Sequence, residues 1–165
     1  MDAEFSVPVS DLEEGTRAYV FPIRPAWMKA ALEDGEVVAI GDEGQLEARL
    51  SKSGKDVIVQ GHAKVALEMP CARCTKPARV VIDAAVTALM VPELEDDAEE
   101  RADLVPYDGQ TVVLDDLVRD EILLGIPMIP LCSEDCPGMS TGPRKEEPPL
   151  DPRLEPLRRI KVSKE

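Results

Sequence analysis

The sequence predicts an α+β domain with an antiparallel meander sheet and two short helices; a sheet curled into a partly closed barrel is the alternative. Two observations favour this class. Apolar and polar residues alternate over two long segments joined by a short turn, as in neighbouring antiparallel strands. Two other segments carry the proline, aspartate and glycine signals that start and stop helices. With 165 residues, 44% of them hydrophobic, the chain can form one domain with a true core.

We expect this domain to cover residues 1–137, with an acidic loop over 92–108. A flexible proline-rich linker and a basic tail should follow over 138–165. The net charge is −14, which argues against a general nucleic-acid binder because such proteins gain affinity mainly by neutralising phosphates. The start Met1-Asp2-Ala3-Glu4 lacks signal-peptide features and no apolar run is long enough to span a bilayer. We therefore expect a cytoplasmic protein.

The N-terminal region predicts two short strands and a helix. The first strand is indicated by alternating apolar residues, Phe5, Val7 and Val9. A second is expected around 17–21. Pro25 opens a helix over 26–34, since proline is tolerated in a first turn, and Gly35 suits the left-handed position after a helix end. The buried stripe of this helix should contain Trp27, Ala31 and Leu32.

The central region predicts the meander. Its first strand alternates at Leu46, Ala48 and Leu50 and ends in a turn over 51–54. The next strand has one apolar face, formed by Val57, Val59, Ala63, Val65, Leu67 and Met69. The pattern repeats at Val80, Ile82, Ala84, Val86, Ala88 and Met90. Residues 70–77 should therefore be the tip of a long hairpin.

The C-terminal third begins with an acidic stretch over 93–103, which we expect to be a solvated loop. A short strand over 111–114 and a helix over 116–124 should follow, with Asp115 as the helix cap. The expected core-facing residues of that helix are Leu117, Val118 and Leu124.

Four cysteines form the most informative pattern. Cys71 and Cys74 lie at the predicted hairpin tip, and 57 residues separate them from the pair Cys132 and Cys136. Thiolates with two or three residues between them can bind one zinc ion together, and four of them close a structural site. Basic neighbours would offset the thiolate charge: Arg73, Lys76 and Arg79. The sequence thus favours a zinc knuckle, meaning short cysteine turns around one structural Zn²⁺.

Other interpretations of the cysteines stay open. Two disulfides would suit a secreted protein, but the start of the chain lacks signal-peptide features, and four unconnected free thiols are also possible. A redox C-x-x-C motif usually opens a helix, whereas Cys74 is followed by Pro77 and a strand. His62 could be a further ligand, but it shares the polar face of its strand with Lys64, and an exposed histidine is the simpler interpretation.

Several motifs in order resemble one protein family. The segment Cys71-Ala72-Arg73-Cys74-Thr75-Lys76-Pro77 is similar to the C-x-R-C-x-x-P element of the YceD family, the large ribosomal RNA subunit accumulation proteins. Residues 113–124 resemble the family's helix, and 126–132 with Cys136-Pro137-Gly138 resemble the segment that follows. Residues 151–157 are similar to its D-P-R-x-x-x-L ending, so the resemblance covers roughly 20–160.

The resemblance implies a bacterial cytoplasmic protein, with relatives in chloroplasts, that supports production or processing of 23S ribosomal RNA and large-subunit assembly. No enzymatic activity is attached to the family. Many members continue after the position of Cys136 as C-x-G-L-C, whereas this chain has Met139-Ser140. Four cysteines are then the largest ligand set, and the site is either minimal and complete or partly decayed.

The leading hypothesis is a non-catalytic ribosome-assembly factor in which zinc fastens the hairpin tip to the segment after the second helix. The cations beside the cysteines could contact RNA, with phosphate contacts added from the tail by Arg153, Arg158 and Arg159. Ordinary surface charge is the alternative for these cations. The acidic stretch could contact a basic ribosomal protein as a partner; it could instead repel non-specific RNA, or simply be a solvated loop that aids solubility. The second hypothesis is a zinc-stapled adaptor that binds protein and does not contact RNA.

An enzyme is the third hypothesis, and we expect none. Four acidic residues near one another on the second helix could bind a divalent metal: Asp115, Asp116, Asp120 and Glu121. Their surroundings offer no nucleophile, and a capped, solvent-facing helix explains them more simply. The sequence has no glycine-rich phosphate loop, no Ser/His/Asp set and no HExxH motif, and its single histidine excludes sites that need two.

Overall fold

The structure is a computed structural model and describes residues 3–12, 15–33, 37–39, 41–92 and 104–139. In chain order, its elements are β1 (Ser6–Pro8), a 3-10 helix (Val9–Leu12), β2 (Thr16–Ile23), α1 (Pro25–Ala31), β3 (Val38–Ala39), β4 (Gly44–Ser53), β5 (Asp56–Pro70), β6 (Pro77–Pro92), β7 (Leu104–Tyr107), β8 (Thr111–Val113) and α2 (Asp115–Leu124).

The main sheet has the strand order β2-β4-β5-β6-β7, and β3 pairs with one end of β5. β4, β5 and β6 form the predicted antiparallel meander, and the hairpin register runs from Val57 opposite Met90 to Pro70 opposite Pro77. The alternating residues of all three strands face the interior, which confirms the period-two prediction. The long hairpin therefore carries its tip, residues 70–77, to one end of the molecule.

The sheet is open, so the alternative of a partly closed barrel is wrong. Within the described residues β2 and β7 lie at opposite ends of the strand order and do not pair with each other, and β1 pairs with β8 in a separate two-stranded sheet. The apolar face is covered instead by this small sheet and by the helices, whose buried residues join the same core. Covering residues include Val7, Met28, Val118 and Ile122. Closure is not needed to bury this face.

β7 lies inside the segment predicted as an acidic loop, and it runs parallel to β6 rather than antiparallel. Its Tyr107 is buried and donates a hydrogen bond to the Lys55 carbonyl at 2.6 Å. Burial of Tyr107 raises the pKa of its phenol. The acidic stretch over 93–103 and the tail from 140 onward lie outside the described residues.

The residues buried by the two helices agree with prediction only in part. α1 ends at Ala31, and its fully buried residue is Met28, which was not predicted; Leu32, directly after the helix, is buried and Trp27 is partly buried, as predicted. α2 buries Val118 and Ile122, whereas Leu124 is 80% exposed. The prediction for Leu124 is wrong because two residues rotate a helix by about 200°, which turns Leu124 away from the face of Ile122. Within the described residues neither helix has the length and apolarity needed to cross a lipid bilayer.

Asp115 does not cap α2 through its side chain, contrary to prediction, because the helix starts at this residue and Leu114 precedes it as the cap. Its carboxylate instead accepts hydrogen bonds from the backbone N–H groups of Glu4 and Phe5, both at 2.9 Å. It also accepts one from the Trp27 indole at 3.0 Å. Asp115 thus connects α2, α1 and the N-terminal segment.

Candidate metal centre

The first cysteine turn, Cys71–Cys74, is a tight reversal between β5 and β6. The Cys71 N–H donates to the Lys76 carbonyl at 2.8 Å, and the Thr75 N–H donates to the Cys71 carbonyl at 2.9 Å. Thr75 has φ +60, the only positive φ of a non-glycine residue in the part of the chain that the structure describes. A β-branched residue adopts this conformation only where its surroundings enforce it. The turn is therefore specified rather than loose.

The second cysteine turn, Cys132–Cys136, follows α2 after an extended segment. Its own reversal is closed by the Cys136 N–H, which donates to the Ser133 carbonyl at 3.1 Å. Gly138 then has φ +80, a conformation that favours glycine, and turns the chain past the first cysteine turn.

Three hydrogen bonds join the first cysteine turn to the segment over 130–139 that contains the second. The Ala72 N–H donates to the Pro130 carbonyl at 2.8 Å, and the Met139 N–H donates to the Arg73 carbonyl at 3.1 Å. The Arg73 guanidinium donates to the Cys136 carbonyl at 3.1 Å. Both turns are thus held against each other by backbone groups as well as by their sulfurs.

The four sulfur atoms form one compact group, which we name the cysteine cluster. Every pair of Sγ atoms lies within 4.8 Å; Cys71 and Cys136 are 3.8 Å apart, and Cys74 and Cys132 are 3.6 Å apart. All four are free thiols at these distances, well beyond the roughly 2.05 Å of a disulfide bond. Among the described residues, the cysteine cluster is the one group of Cys, His, Asp or Glu side chains placed closely enough to hold a metal ion.

The geometry fits a tetrahedral thiolate site. With a metal–sulfur bond of about 2.3 Å, as for Zn²⁺, the ligand sulfurs of a tetrahedron lie about 3.8 Å apart. The two separations of 3.6 and 3.8 Å match that spacing. Four sulfur ligands leave no open position for water or substrate, so such a site would be structural rather than catalytic.

The local electrostatics favour thiolate at one position and oppose it at another. Backbone N–H groups of Arg73 and Cys132 lower the pKa of Cys71 to about 6. The Lys76 N–H stabilises the thiolate of Cys74, but burial and the neighbouring thiols outweigh it and raise the pKa of Cys74 to about 12. Thiols this close cannot all ionise on their own, and a bound cation would offset their charges.

The three cations predicted beside the cluster have different surroundings. Arg73 is used in the bond to Cys136, and Arg79 forms an ion pair with Asp42. Lys76 is exposed in the same turn. The patch is therefore less positive than its sequence suggests, because an acidic residue from before β4 faces Arg79. Arg153, Arg158 and Arg159 lie outside the described residues, so they stay predictions.

Sequence analysis missed the apolar surroundings of the cluster. Ala78 is buried together with Cys71 and Cys136, and Leu131 packs against this buried group. We name the exposed apolar side chains of the neighbouring segments the apolar rim: Leu124, Met128, Ile129 and Met139. Met128 is 99% exposed. The sequence signal for these apolar side chains was the run Ile126–Leu131. This run is apolar but lacks the alternation that marks a buried strand.

His62 is exposed, as expected, and its Nδ1 lies 3.3 Å from a carboxylate oxygen of Asp83 on the outer face of the sheet. Asp116 and Asp120 are exposed on α2, which fits the solvent-facing interpretation of those acids. Neither set belongs to the cysteine cluster.

Comparison with known proteins identifies the family. A family model described as large ribosomal RNA subunit accumulation protein YceD matches residues 59–161. The match includes both cysteine turns and covers more than half of the sequence. This chain belongs to the YceD family. The resemblance found from its motifs is thereby confirmed.

The chain is also similar in sequence to uncharacterized proteins of Mycobacterium bovis and of two strains of Mycobacterium tuberculosis. They are 28% identical to this chain over 131 residues, which is 72% of the chain and 63% of each relative. The chain thus spans less than two thirds of the length of these curated relatives. No solved structure matches the chain.

Proposed function

We propose that this protein is a non-catalytic cytoplasmic factor that supports 23S ribosomal RNA accumulation or processing and large ribosomal subunit assembly, with a structural zinc ion on its four cysteines. The observation that carries the proposal is the family match over residues 59–161, whose description names ribosomal RNA accumulation. The matched segment contains the whole cysteine cluster, so the candidate metal centre lies within the part of the chain that carries the family resemblance.

Zinc is the cation that best suits the donor set. Four thiolates at tetrahedral spacing are soft ligands, which favour Zn²⁺ over the hard, oxygen-preferring Mg²⁺ and Ca²⁺. The basic residues Arg73 and Lys76 would offset part of the negative charge that four thiolates and one Zn²⁺ leave. Four ligands complete the tetrahedron, which supports the minimal and complete interpretation of this site without a ligand at Ser140.

The metal would act as a staple between distant parts of the chain. It would close a loop with 57 residues between Cys74 and Cys132, which lowers the entropy of the unfolded chain. The hairpin tip would then be held beside the segment after α2. The result is a rigid platform at the end of β5 and β6 that presents Lys76 and Arg79 to a partner.

Phosphate contact is the role we assign to that platform, together with the tail cations Arg153, Arg158 and Arg159. Readout by stacking on bases is a poor fit, because aromatic residues are 3% of the chain and none flanks the first cysteine turn. Binding should therefore depend on salt and tolerate changes in RNA sequence.

Two experiments test this function. Tagged full-length protein should be recovered from cells and its co-purifying material analysed by mass spectrometry and RNA sequencing. Large-subunit precursors should be enriched, and their absence would contradict the proposal. In parallel, gel-shift titration with 23S RNA fragments should give binding that weakens steeply between low and physiological salt.

The gel shift needs variants that separate charge from structure. Lys76→Ala with Arg79→Ala removes two cations while keeping the Arg73 bond to Cys136, and should weaken binding by roughly tenfold or more. The matched control is Lys52→Ala with Lys55→Ala, which removes the same charge at the opposite end of β5. Equal loss in both double variants would show attraction to net charge alone and would contradict a binding patch.

A zinc-stapled adaptor that binds protein without RNA is the second candidate. The apolar rim favours it, because several large apolar side chains in the segments that flank the second cysteine turn are exposed, and exposed apolar side chains can serve as protein contacts. The same experiments discriminate the candidates. Absence of any RNA shift at low salt, together with recovery of a ribosomal protein in RNase-treated samples, would favour the adaptor.

A further inference from the structure

The cysteine cluster is divided into an exposed and a buried half. Cys71 and Cys136 are 1% and 3% exposed, whereas Cys132 is exposed and Cys74 is partly exposed. The two halves do not follow the two sequence motifs. Each half contains one cysteine from each cysteine turn, because Cys74 lies 3.6 Å from Cys132 and Cys71 lies 3.8 Å from Cys136.

We propose that Cys74 and Cys132 are an oxidation site for peroxides, at which a disulfide between the two cysteine turns forms and expels the metal. This inference rests on the proposed zinc site for the metal release but not for the identity of the disulfide. The surface position of this pair gives a small oxidant access that the inner pair lacks. The separation of 3.6 Å requires a shift of about 1.5 Å to reach disulfide bonding distance.

The reaction balances with one hydrogen peroxide per disulfide. The thiolate of one outer cysteine attacks peroxide, the O–O bond breaks, and a sulfenic acid forms with release of hydroxide. The second outer thiolate attacks that sulfur and displaces another hydroxide, so two electrons pass from the sulfurs to peroxide. Two protons from solvent convert the hydroxides to water.

The metal then loses two of its four ligands. Cys71 and Cys136 keep their thiolates, but two sulfurs do not complete a structural tetrahedron, so Zn²⁺ leaves to solvent. The new S–S bond joins the same two turns that the metal joined. Oxidation should therefore release zinc while leaving the sheet folded, and a dithiol reductant with added zinc should reverse it.

Peptide mapping can identify the bonded pair in the full-length protein. Reduced, zinc-loaded protein is treated with hydrogen peroxide, and the remaining thiols are alkylated. Trypsin cleaves after Arg73 and separates Cys71 from Cys74, and a glutamate-specific protease cleaves after Glu134 and separates Cys132 from Cys136. Released zinc is followed with a chromogenic chelator, and far-UV circular dichroism monitors the sheet.

The expected result is a Cys74–Cys132 disulfide at least tenfold more abundant than any other pair, with one zinc released per disulfide. Before oxidation, alkylation should reach the exposed Cys132 at least tenfold faster than the buried Cys71 and Cys136. A disulfide within one turn, such as Cys71 with Cys74, or full retention of zinc after oxidation would overturn the proposal. If no zinc binds, the proposed metal site fails, and mapping of the reduced metal-free protein still tests the oxidation site.

Discussion

The residues that the structure describes form two buried clusters, and different forces hold them together. The main core contains 24 of these described residues, contributed by both sheets and both helices. The cluster at the hairpin tip contains three, and two of them are cysteines. Burial of a large apolar side chain stabilises a fold by about 1.5–3 kcal/mol, so the main core can sustain itself. Three small side chains cannot hold two chain segments together in the same way.

The difference explains why the second cluster needs other bonds. Its segments are joined by hydrogen bonds of Ala72 and Arg73 to residues beyond α2, and its sulfurs are arranged for a metal. A change in the core should lower the stability of the whole domain, whereas a change at the cysteine end should act locally.

The largest effect is expected in the core, at Phe5. Its side chain is fully buried and packs edge-on against Phe21 and Trp27, with ring centroids 5.9 and 4.8 Å away. Phe5→Ala should lower the free energy of unfolding in urea by about 3–5 kcal/mol. Zinc content should not change. Val20→Ala, at an apolar residue 62% exposed, is the control and should change stability by less than about 0.5 kcal/mol.

Metal removal should have the next largest effect, confined to the cysteine end. A ligand present at 100 times its dissociation constant stabilises the site it binds by about 2.7 kcal/mol. Chelation should therefore speed hydrogen exchange at least 100-fold in the cysteine turns, while amides of β4 and the middle of β5 keep their protection. Equal loss of protection in both regions would show that the core depends on the metal and would contradict the separation.

Asp115→Ala should cost about 1.5–3 kcal/mol, because three donors on the N-terminal segment and α1 lose a charged acceptor. The measurement is urea unfolding followed by Trp27 fluorescence. Asp116→Ala removes the same charge one residue along the helix, where the side chain is exposed, and should cost less than about 0.5 kcal/mol. Similar losses of stability in both variants would contradict this, because they would show that the negative charge in the first turn of α2, rather than the three hydrogen bonds of Asp115, stabilises the fold.

Gly61→Ala should have a smaller effect, of about 1–3 kcal/mol. A Cβ atom at Gly61 would lie 2.1 Å from the Glu47 carbonyl oxygen and 2.9 Å from the Ala48 Cα, so β4 and β5 would have to separate locally. Gly41→Ala, where an added Cβ meets nothing within 4 Å, is the control. Thermal unfolding should show a lower Tm for the first variant, and unchanged Tm values for both would contradict the close approach of these strands.

The meander could be predicted from sequence because burial on one face of a strand repeats every two residues. That signal extends along β5 and β6 for 15 and 16 residues. β7 carries no such signal: it is four residues long, contains Pro106 and follows a run of acids. Its pairing with β6 is a long-range contact that local pattern does not contain.

The buried face of α2 and the role of Asp115 were harder to predict. In α2 both Ile122 and Leu124 are apolar, but Ile122 follows Val118 by four residues and so shares its buried face, whereas Leu124 does not; that spacing, applied from Val118, would have selected Ile122. Asp115 lies where a helix cap is expected, but its hydrogen-bond partners are 111 and 110 residues away in sequence. Cysteine spacing, by contrast, indicated ligand pairs directly, since two thiols in one turn can share a metal whatever the rest of the fold.

Zinc analysis of the full-length protein, purified under reducing conditions without chelators, tests the central claim most directly. The account predicts one zinc ion per chain, and slow reaction of all four cysteines with a thiol reagent until a chelator is added. A protein that is folded by circular dichroism, holds no zinc and reacts at once through the exposed Cys132 would contradict it.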